Sequence, residues 1–130
     1  MVDASQSLRA GLSATVDHVV EEADTAAAVG SGDLPVLATP RLLALAEQAT
    51  CAAVAAALHP RDSSVGTRIR LEHRHPSPVG ARVTVTATLQ HVDGRLLRFD
   101  VVAADEDGKV VGHGEVSRVV VDRERFLGAP

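Results

Sequence analysis

Aromatic residues and cysteine are scarce in this sequence. Of its 130 residues only Phe99 and Phe126 are aromatic, there is no tryptophan or tyrosine, and the formal net charge is -4. Proteins that bind single-stranded nucleic acid stack the bases on aromatic side chains within a basic groove. Because both features are missing, we expect no nucleic-acid partner. The single cysteine, Cys51, has no partner for an internal disulfide, and its apolar surroundings predict a small buried residue rather than a nucleophile.

Long hydrophobic runs are also missing. Residues 1–10 contain no apolar run of the kind that a signal peptide needs, and the apolar stretch around Ala52 is too short to span a bilayer. We therefore expect a cytoplasmic protein with no membrane partner. The small, polar residues at the start predict a flexible leader over residues 1–10, and the length suits a single domain over residues 11–130.

Residues 36–58 predict one long helix that is apolar almost all the way round. The pair Thr39 and Pro40 is typical of a helix start, with Thr39 as the N-cap. Glu47 is the one carboxylate in this stretch. A helix without a broad polar face has to be covered, so the rest of the chain is expected to wrap around it.

The remaining chain predicts five strands. Polar and apolar residues alternate with a period of two before the helix and in four segments after it, with a loop at residues 62–64 and hairpin signals at Asp93-Gly94 and at residues 105–108. Gly112 and Gly114 suggest a bulge or bend in the last strand. The economical architecture is α+β: an antiparallel sheet, with its last four strands in a meander, curled around one long central helix. That architecture is the hotdog fold.

Three polar residues interrupt this apolar pattern: Thr39 at the helix start, Glu47 two turns later, and His73 in the inward phase of the next strand. A carboxylate beside a histidine can exchange a proton, which general acid–base or nucleophilic chemistry requires. Each residue also has a structural interpretation. Three alternatives remain open. Thr39 can be only a helix cap, Glu47 can pair with an arginine or face a second subunit, and His73 can be a hydrogen-bonded core or rim histidine.

Residues 36–73 resemble the fluoroacetyl-CoA thioesterase branch of the hotdog thioesterases, and the likeness continues in residues 78–87, 92–95 and 112–126. That family has a threonine just before the helix, a glutamate eight positions later, and a histidine at the end of a strand that follows a Gly-Thr pair. The matching residues are Thr39, Glu47 and His73, with Gly66 and Thr67 as the pair.

The resemblance implies hydrolysis of a small acyl-CoA thioester. Glu47 would be the nucleophile or the base for water, His73 the acid–base partner and Thr39 the positioning and oxyanion hydroxyl. Gly66 and Thr67 would contact the substrate, the Gly66 amide as a donor. The resemblance also implies a homodimer with its site between the subunits. Coenzyme A would enter as part of the substrate, and no separate cofactor is expected.

Other functions stay open beside thioester hydrolysis. One is a non-catalytic hotdog module that binds acyl-CoA or a related small ligand. Another is a hotdog hydratase or dehydratase, although the Asp–His motif that such enzymes tend to use is not found in the sequence. The histidines show no familiar metal-ligand spacing apart from the weak pair His73 and His75, so no metal is expected. Residues 23–37 lack the aromatic lid of fluoroacetyl-specific enzymes, so the resemblance does not extend to selectivity for fluorine, and the identity of the acyl group stays open.

Overall fold

A computed structural model describes residues 7–128 of the chain. Five strands form one antiparallel sheet in the order β1-β3-β4-β5-β2, and the longest helix crosses one face of it. The strands are β1 Ser13–Val19, β2 Asp62–His73, β3 Arg82–Asp93, β4 Leu96–Ala104 and β5 Val110–Asp122. The helices are α1 Ala26–Val29, α2 Thr39–Val54 and α3 Arg123–Gly128, with 3-10 turns at Glu22–Asp24 and Ala55–Ala57. The predicted antiparallel sheet with one long helix is confirmed.

The core lies between α2 and the inner face of the sheet. Side chains on a strand alternate between its two faces, so every second residue of β3 and β4 points toward the helix. These inward residues are fully or almost fully buried, as are the α2 residues that meet them: Val83, Val85, Ala87, Leu89, Leu97, Phe99, Val101, Ala103, Leu42, Leu45, Ala46 and Ala49. The inward phases predicted for these strands are therefore confirmed.

The predicted meander of four strands is wrong for β2. Strands β3, β4 and β5 are connected in sequence as neighbours, but β2 lies at the far edge of the sheet and pairs with β5. The place beside β3 is taken by β1, with Val16 opposite Val85. Residues 62–64, expected to form a loop, are the first residues of β2. Alternation of polar and apolar residues identifies the covered face of a strand but not the strand that lies beside it. The pattern therefore does not reveal that β2 pairs with β5 at the edge of the sheet.

Gly112 and Gly114 allow β5 to approach its neighbours closely. The register between β4 and β5 shifts beside Gly112, as the sequence predicts. A β-carbon at Gly112 would come within 3.0 Å of the Leu42 side chain, and one at Gly114 would overlap the backbone oxygen of Arg70. Side chains at these two positions would push β5 away from β2 and α2.

Helix α2 is shorter than predicted and is covered on one side only. Ala38 occupies the N-cap position and Thr39 is the first helical residue, with no side-chain cap bond at Ala38, so the interpretation of Thr39 as the cap is wrong. The helix ends at Val54 in a 3-10 turn. Its outer side is exposed and includes Cys51, whose predicted burial is wrong for a single chain, because the helix turns this position away from the sheet.

The two ends of the described chain add little to the core. Leu8 packs against the core cluster, whereas most of the predicted leader at residues 1–10 lies outside the described residues and stays a prediction. After Asp122 the chain forms α3, with Phe126 and Leu127 exposed. Within residues 7–128, no helix is both long and apolar enough to cross a membrane.

Candidate active site

Thr39 and His73 meet where the start of α2 lies beside the end of β2. Thr39 Oγ1 and His73 Nδ1 are 2.8 Å apart and share a hydrogen bond. The other ring nitrogen, His73 Nε2, is buried and has no hydrogen-bond partner among residues 7–128. Buried polar atoms are nearly always paired, so Nε2 is free to bind a group that the chain itself does not supply. The hydroxyl and the imidazole form one half of the candidate site.

Burial sets the protonation of His73. It lowers the pKa of the imidazole below its ordinary value of 6.5, and a hydrogen bond with the backbone of His75 offsets this in part. The neutral ring is therefore the dominant form at neutral pH. A neutral imidazole can accept a proton and later return it, as a general base and acid must.

A cavity of about 270 Å³ lies beside this pair. One wall comes from the segment that precedes α2 and the other from the end of β2. The lining residues are Ala26, Ser31, Val36, Leu37, Thr39, His73, Arg74, His75 and Pro76. No phenylalanine, tyrosine or tryptophan is among them, and residues 23–37, which supply the loop wall, contain none.

Glu47 lies two turns further along α2, in contact with a different set of residues. Its Oε2 accepts a hydrogen bond from Arg118 Nη1 at 3.1 Å. Arg118 is 6% exposed, and it also donates from Nε to Ser64 Oγ at 2.8 Å and from Nη2 to the Ser64 backbone oxygen at 2.9 Å. The open alternative that Glu47 pairs with an arginine is therefore confirmed. The arginine fixes the carboxylate and balances its charge.

Arg118 did not emerge from the sequence as a site residue, although a signal for it was present. Val116, Arg118 and Val120 share the inward phase of β5, and all three are buried. A charged residue in a buried phase needs a partner, because an unpaired buried charge is costly. Glu47 on the facing helix supplies the opposite charge.

Gly66 lies directly against the Glu47 carboxylate. A β-carbon at Gly66 would overlap Glu47 Oε2, so only glycine admits this approach. The next residue, Thr67, lies at a register shift of β2 and donates to the backbone oxygen of Ser117 at 3.3 Å. It lines a separate hollow of about 520 Å³ with outward residues of β4, including Leu96 and Arg98. The structure therefore brings Gly66 to Glu47 but leaves Thr67 on the other face of the sheet.

The predicted residues thus fall into two half-sites within one chain. Thr39 contacts His73, and Glu47 contacts Gly66 and Arg118, but no contact joins Glu47 to His73 among the described residues. Eight helical residues separate Thr39 from Glu47, a rise of about 12 Å. Seven strand residues separate Gly66 from His73, a length of about 23 Å. A single chain leaves the carboxylate and the imidazole too far apart to share one reacting atom.

Metal ligands are not clustered in the part of the chain that the structure describes. No group of three or more histidine, cysteine, aspartate or glutamate side chains is placed there to hold a metal ion. The two half-sites consist of carboxylate, imidazole, hydroxyl and guanidinium groups.

One helix laid across a five-stranded antiparallel sheet in this strand order is the hotdog architecture. A crystal structure of a hot-dog-like protein from Thermanaerovibrio acidaminovorans matches it with a TM-score of 0.81 and 25% identity, covering 90% of this chain and 86% of that one. The sequence model of the family described as "FlK: Fluoroacetyl-CoA-specific thioesterase" matches residues 20–124. The chain belongs to this family.

Two family relatives support this assignment. A fluoroacetyl-CoA thioesterase of Streptantibioticus cattleyicolor is 40% identical over 91 residues, which cover 70% of this chain and 65% of that protein. A crystal structure of an FlK variant in complex with acetyl-CoA superposes with a TM-score of 0.86 and 34% identity, covering 92% of this chain and 93% of that one. The predicted hotdog fold and the resemblance to this thioesterase family are confirmed.

Proposed function

We propose that this protein hydrolyses a small acyl-CoA thioester to the free acid and coenzyme A, and that it does so as a homodimer. Family membership supports the reaction class, and the two half-sites support the assembly. Coenzyme A takes part as the leaving group of the substrate, so the proposal requires no separate cofactor. The cytoplasmic location expected from the sequence stays a prediction.

The observation that carries the proposal is the unpartnered Nε2 of His73 beside the cavity. Its pKa is lowered by burial, so the ring is ready to accept a proton at neutral pH. Thr39 holds the opposite ring nitrogen and so fixes the orientation of the imidazole. A substrate group in the cavity would give Nε2 the partner that the protein itself does not supply.

The residues divide the reaction between them. Glu47 attacks the thioester carbonyl carbon directly, or takes a proton from the water that does. A carbon–oxygen bond forms, and the carbonyl oxygen gains the negative charge, which the Thr39 hydroxyl and the Gly66 amide stabilise. The carbon–sulfur bond then breaks and releases the coenzyme A thiolate. The proton that this thiolate takes up comes from the water that the reaction consumes, through Glu47 or directly, and is carried by Nε2 of the neutral His73. In the covalent route, water subsequently hydrolyses the anhydride on Glu47 and restores the carboxylate.

A second copy of the chain completes the site. Strand β2 is an edge strand of the described sheet, and its free backbone groups are a template for another strand. With Thr67 as the extra residue of the bulge, antiparallel pairing of two β2 strands about a twofold axis at Arg70 puts Gly66 of one chain opposite His73 of the partner subunit. Glu47 and Arg118 then approach the Thr39–His73 pair of the partner subunit, and two equivalent sites form. The exposed, largely small-residue side of α2 is available for the same contact.

The cavity supports a small aliphatic acyl group without a preference for fluorine. Its loop wall consists of Ala26, Ser31, Val36 and Leu37, none of which is aromatic. The related FlK variant was crystallised with acetyl-CoA. The fluorinated thioester is intrinsically more reactive toward water. We expect the ratio of kcat/KM for fluoroacetyl-CoA and acetyl-CoA to be similar to the ratio of their uncatalysed hydrolysis rates.

Thiol release from a panel of acyl-CoA thioesters tests the proposal. At least one short acyl-CoA should be hydrolysed, and Glu47→Gln and His73→Ala should each lower kcat by at least about a hundredfold, the lower range for loss of a general acid or base. Glu115→Gln and His113→Ala on β5 are matched controls that should keep full turnover. Unchanged turnover in both site variants would refute the proposed chemistry. Saturable acyl-CoA binding with no thiol released would instead establish the non-catalytic module.

A further inference from the structure

A second charged cluster, separate from both half-sites, surrounds Asp24. This carboxylate is 5% exposed and is the last residue of the 3-10 turn that follows β1. Its Oδ2 lies 2.7 Å from His18 Nε2 and accepts from the Glu21 amide at 2.7 Å. Its Oδ1 accepts from Arg41 Nε at 2.8 Å. Both carboxylate oxygens are satisfied, and their partners come from β1, the turn and α2.

The backbone of Asp24 is tied to the same helix. Its carbonyl oxygen accepts from the Ala38 amide at 2.8 Å, directly before Thr39. Arg41 lies two residues after Thr39 in the first turn of α2. Asp24 therefore fixes the helix start on both sides of the hydroxyl that holds His73.

Asp24 also closes the base of the loop that forms one wall of the cavity. We call residues 25–37 the cavity loop. Thr25 is bridged to Leu37, and the Ala26 amide donates to the Val36 oxygen at 2.8 Å, so the two ends of the loop run side by side from Asp24 and Ala38. The C-terminal end of the loop is also attached to the β2–β3 connection, where the Leu37 amide donates to the Ser77 backbone oxygen at 2.8 Å.

The charge of Asp24 persists over the whole working range of pH. Burial alone would raise the pKa of this carboxyl, but the hydrogen bonds from the Glu21 amide, His18 and Arg41 outweigh it and lower the pKa to about 2. A buried, ionised carboxylate with several charge-assisted hydrogen bonds holds its partners in fixed positions, because losing any one of them leaves part of the carboxylate charge unpaired.

We propose that Asp24 is a positioning residue for the thioesterase reaction, since it holds the cavity loop against the first turn of α2 and so fixes both the acyl wall and the Thr39–His73 pair. This inference rests on the proposed hydrolysis. Asp24 touches neither the reacting atoms nor the cavity, and acts through Ala38, Arg41 and the loop base. Its loss should therefore change which acyl group fits, as well as how fast it reacts.

Asp24→Asn is the direct variant, because it keeps the shape and removes the charge. With the amide oxygen facing His18 and the Glu21 amide, the amide nitrogen faces the Arg41 Nε–H, where two donors repel. We expect kcat/KM for the preferred acyl-CoA to fall by about tenfold or more, since small displacements of reacting groups are costly. We also expect the preference between a two-carbon and a longer acyl group to narrow by about threefold or more.

Three further variants keep the test decisive if Asp24→Asn folds poorly. Arg41→Gln removes one partner of Asp24 from a half-exposed position and should produce the same narrowing of acyl preference to a smaller extent. Asp17→Asn is the matched control: this β1 carboxylate accepts from Thr84 Oγ1 at 2.6 Å, away from the cavity loop, and should keep both rate and preference. Asp24→Glu, which retains the charge, should restore part of the lost rate.

The readouts separate positioning from simple destabilisation. If Asp24 had a structural role alone, its loss would lower turnover of every acyl-CoA in proportion to the folded fraction of the protein, which thermal unfolding measures. The preference among acyl groups would stay as in the wild type. The NMR signals of the His73 ring would also be unchanged. That result in Asp24→Asn and Arg41→Gln would overturn the inference. Turnover by the wild-type protein is measured in the same assay, and its absence would count against the proposed hydrolysis instead. The NMR comparison tests the position of His73 without requiring turnover.

Discussion

Gly66 illustrates how a single missing side chain shapes the candidate site. The Glu47 carboxylate occupies the space that a β-carbon would fill, and it is held there by Arg118. Gly66→Ala should therefore leave the fold intact but push the carboxylate away from its place, because the end of the Glu47 side chain can rotate whereas the strand cannot. We expect kcat to fall by about tenfold or more, with a melting temperature close to that of the wild type.

Turnover and thermal unfolding of the same preparation check this prediction at Gly66. Gly128→Ala is a control far from β2 in sequence and outside the cavity loop, since an added carbon there meets no atom within 4 Å, and it should keep full activity. Full activity of Gly66→Ala would mean that the Glu47 carboxylate does not need its observed position for the reaction.

His73 should impose a pH dependence on the reaction. Burial lowers the pKa of its imidazole below 6.5, and the neutral form is the one that accepts a proton. The value of kcat/KM should therefore be constant above this pKa and decrease as the pH falls through it. The free energy of unfolding should depend on pH in the same direction. The His73 ring is protonated more easily in the unfolded chain, so its contribution to stability is fully present above pH 6.5 and is lost as the pH falls through the lower pKa of the folded protein.

A pH–rate profile with a stable short acyl-CoA measures this apparent pKa for the free enzyme. The midpoint should lie below 6.5, and the acid limb should be absent from the residual activity of His73→Ala. A midpoint at or above 6.5 that persists in His73→Ala would assign the titration to another group.

At the scale of elements, strand β5 depends on glycine for its contact with β2. A β-carbon at Gly114 would overlap the backbone oxygen of Arg70, which is part of the β2–β5 ladder. Since no side-chain rotation can relieve a backbone collision, Gly114→Ala should lower the free energy of unfolding by about 3 kcal/mol, the upper range for overpacking.

Chemical denaturation of Gly114→Ala measures that loss directly. Ser117→Ala, on the same strand but facing outward, is the control and should change the free energy of unfolding by less than about 0.5 kcal/mol. Equal stability of Gly114→Ala and the wild type would show that the two strands can separate without cost at this point.

The elements were largely predictable from the sequence, but their neighbours were not. Period-two alternation identified the inward residues of β3 and β4, and the apolar stretch around Glu47 identified α2. The same pattern placed β2 beside β3, because it carries no information on which strand pairs with which. The apolar pattern also predicted burial of Cys51. An apolar helix position gives the same sequence signal whether the sheet of its own chain or a second chain covers it.

The candidate site was predictable as a set of residues but not as a geometry. Thr39, Glu47 and His73 were found because polar groups in an apolar pattern stand out, and the family resemblance joined them. The division into half-sites depends on how α2 lies against β2 in the folded chain. The sequence pattern does not specify that arrangement. Arg118 was missed because an arginine within a strand is ordinarily an outward residue, and only its inward phase set it apart.

At the scale of the whole molecule, each proposed active site requires two chains. Each chain offers Glu47 with Arg118 at one end of β2 and His73 with Thr39 at the other. In the proposed dimer, each site takes its carboxylate from one subunit and its imidazole from the other. Glu47→Gln and His73→Ala therefore damage different halves of every site, although each variant made alone retains only about a hundredth of the wild-type turnover or less.

Mixing these two variants is the most direct measurement of this claim. After joint unfolding and refolding, about half of the dimers combine one chain of each kind, and in these one site carries both substitutions while the other carries neither. Thiol release should reappear at about a quarter of the wild-type rate per chain, and each variant refolded by itself should stay at about a hundredth or less. No recovery from a mixture that demonstrably contains mixed dimers would contradict the account, because it would mean that Glu47 and His73 act within the same chain.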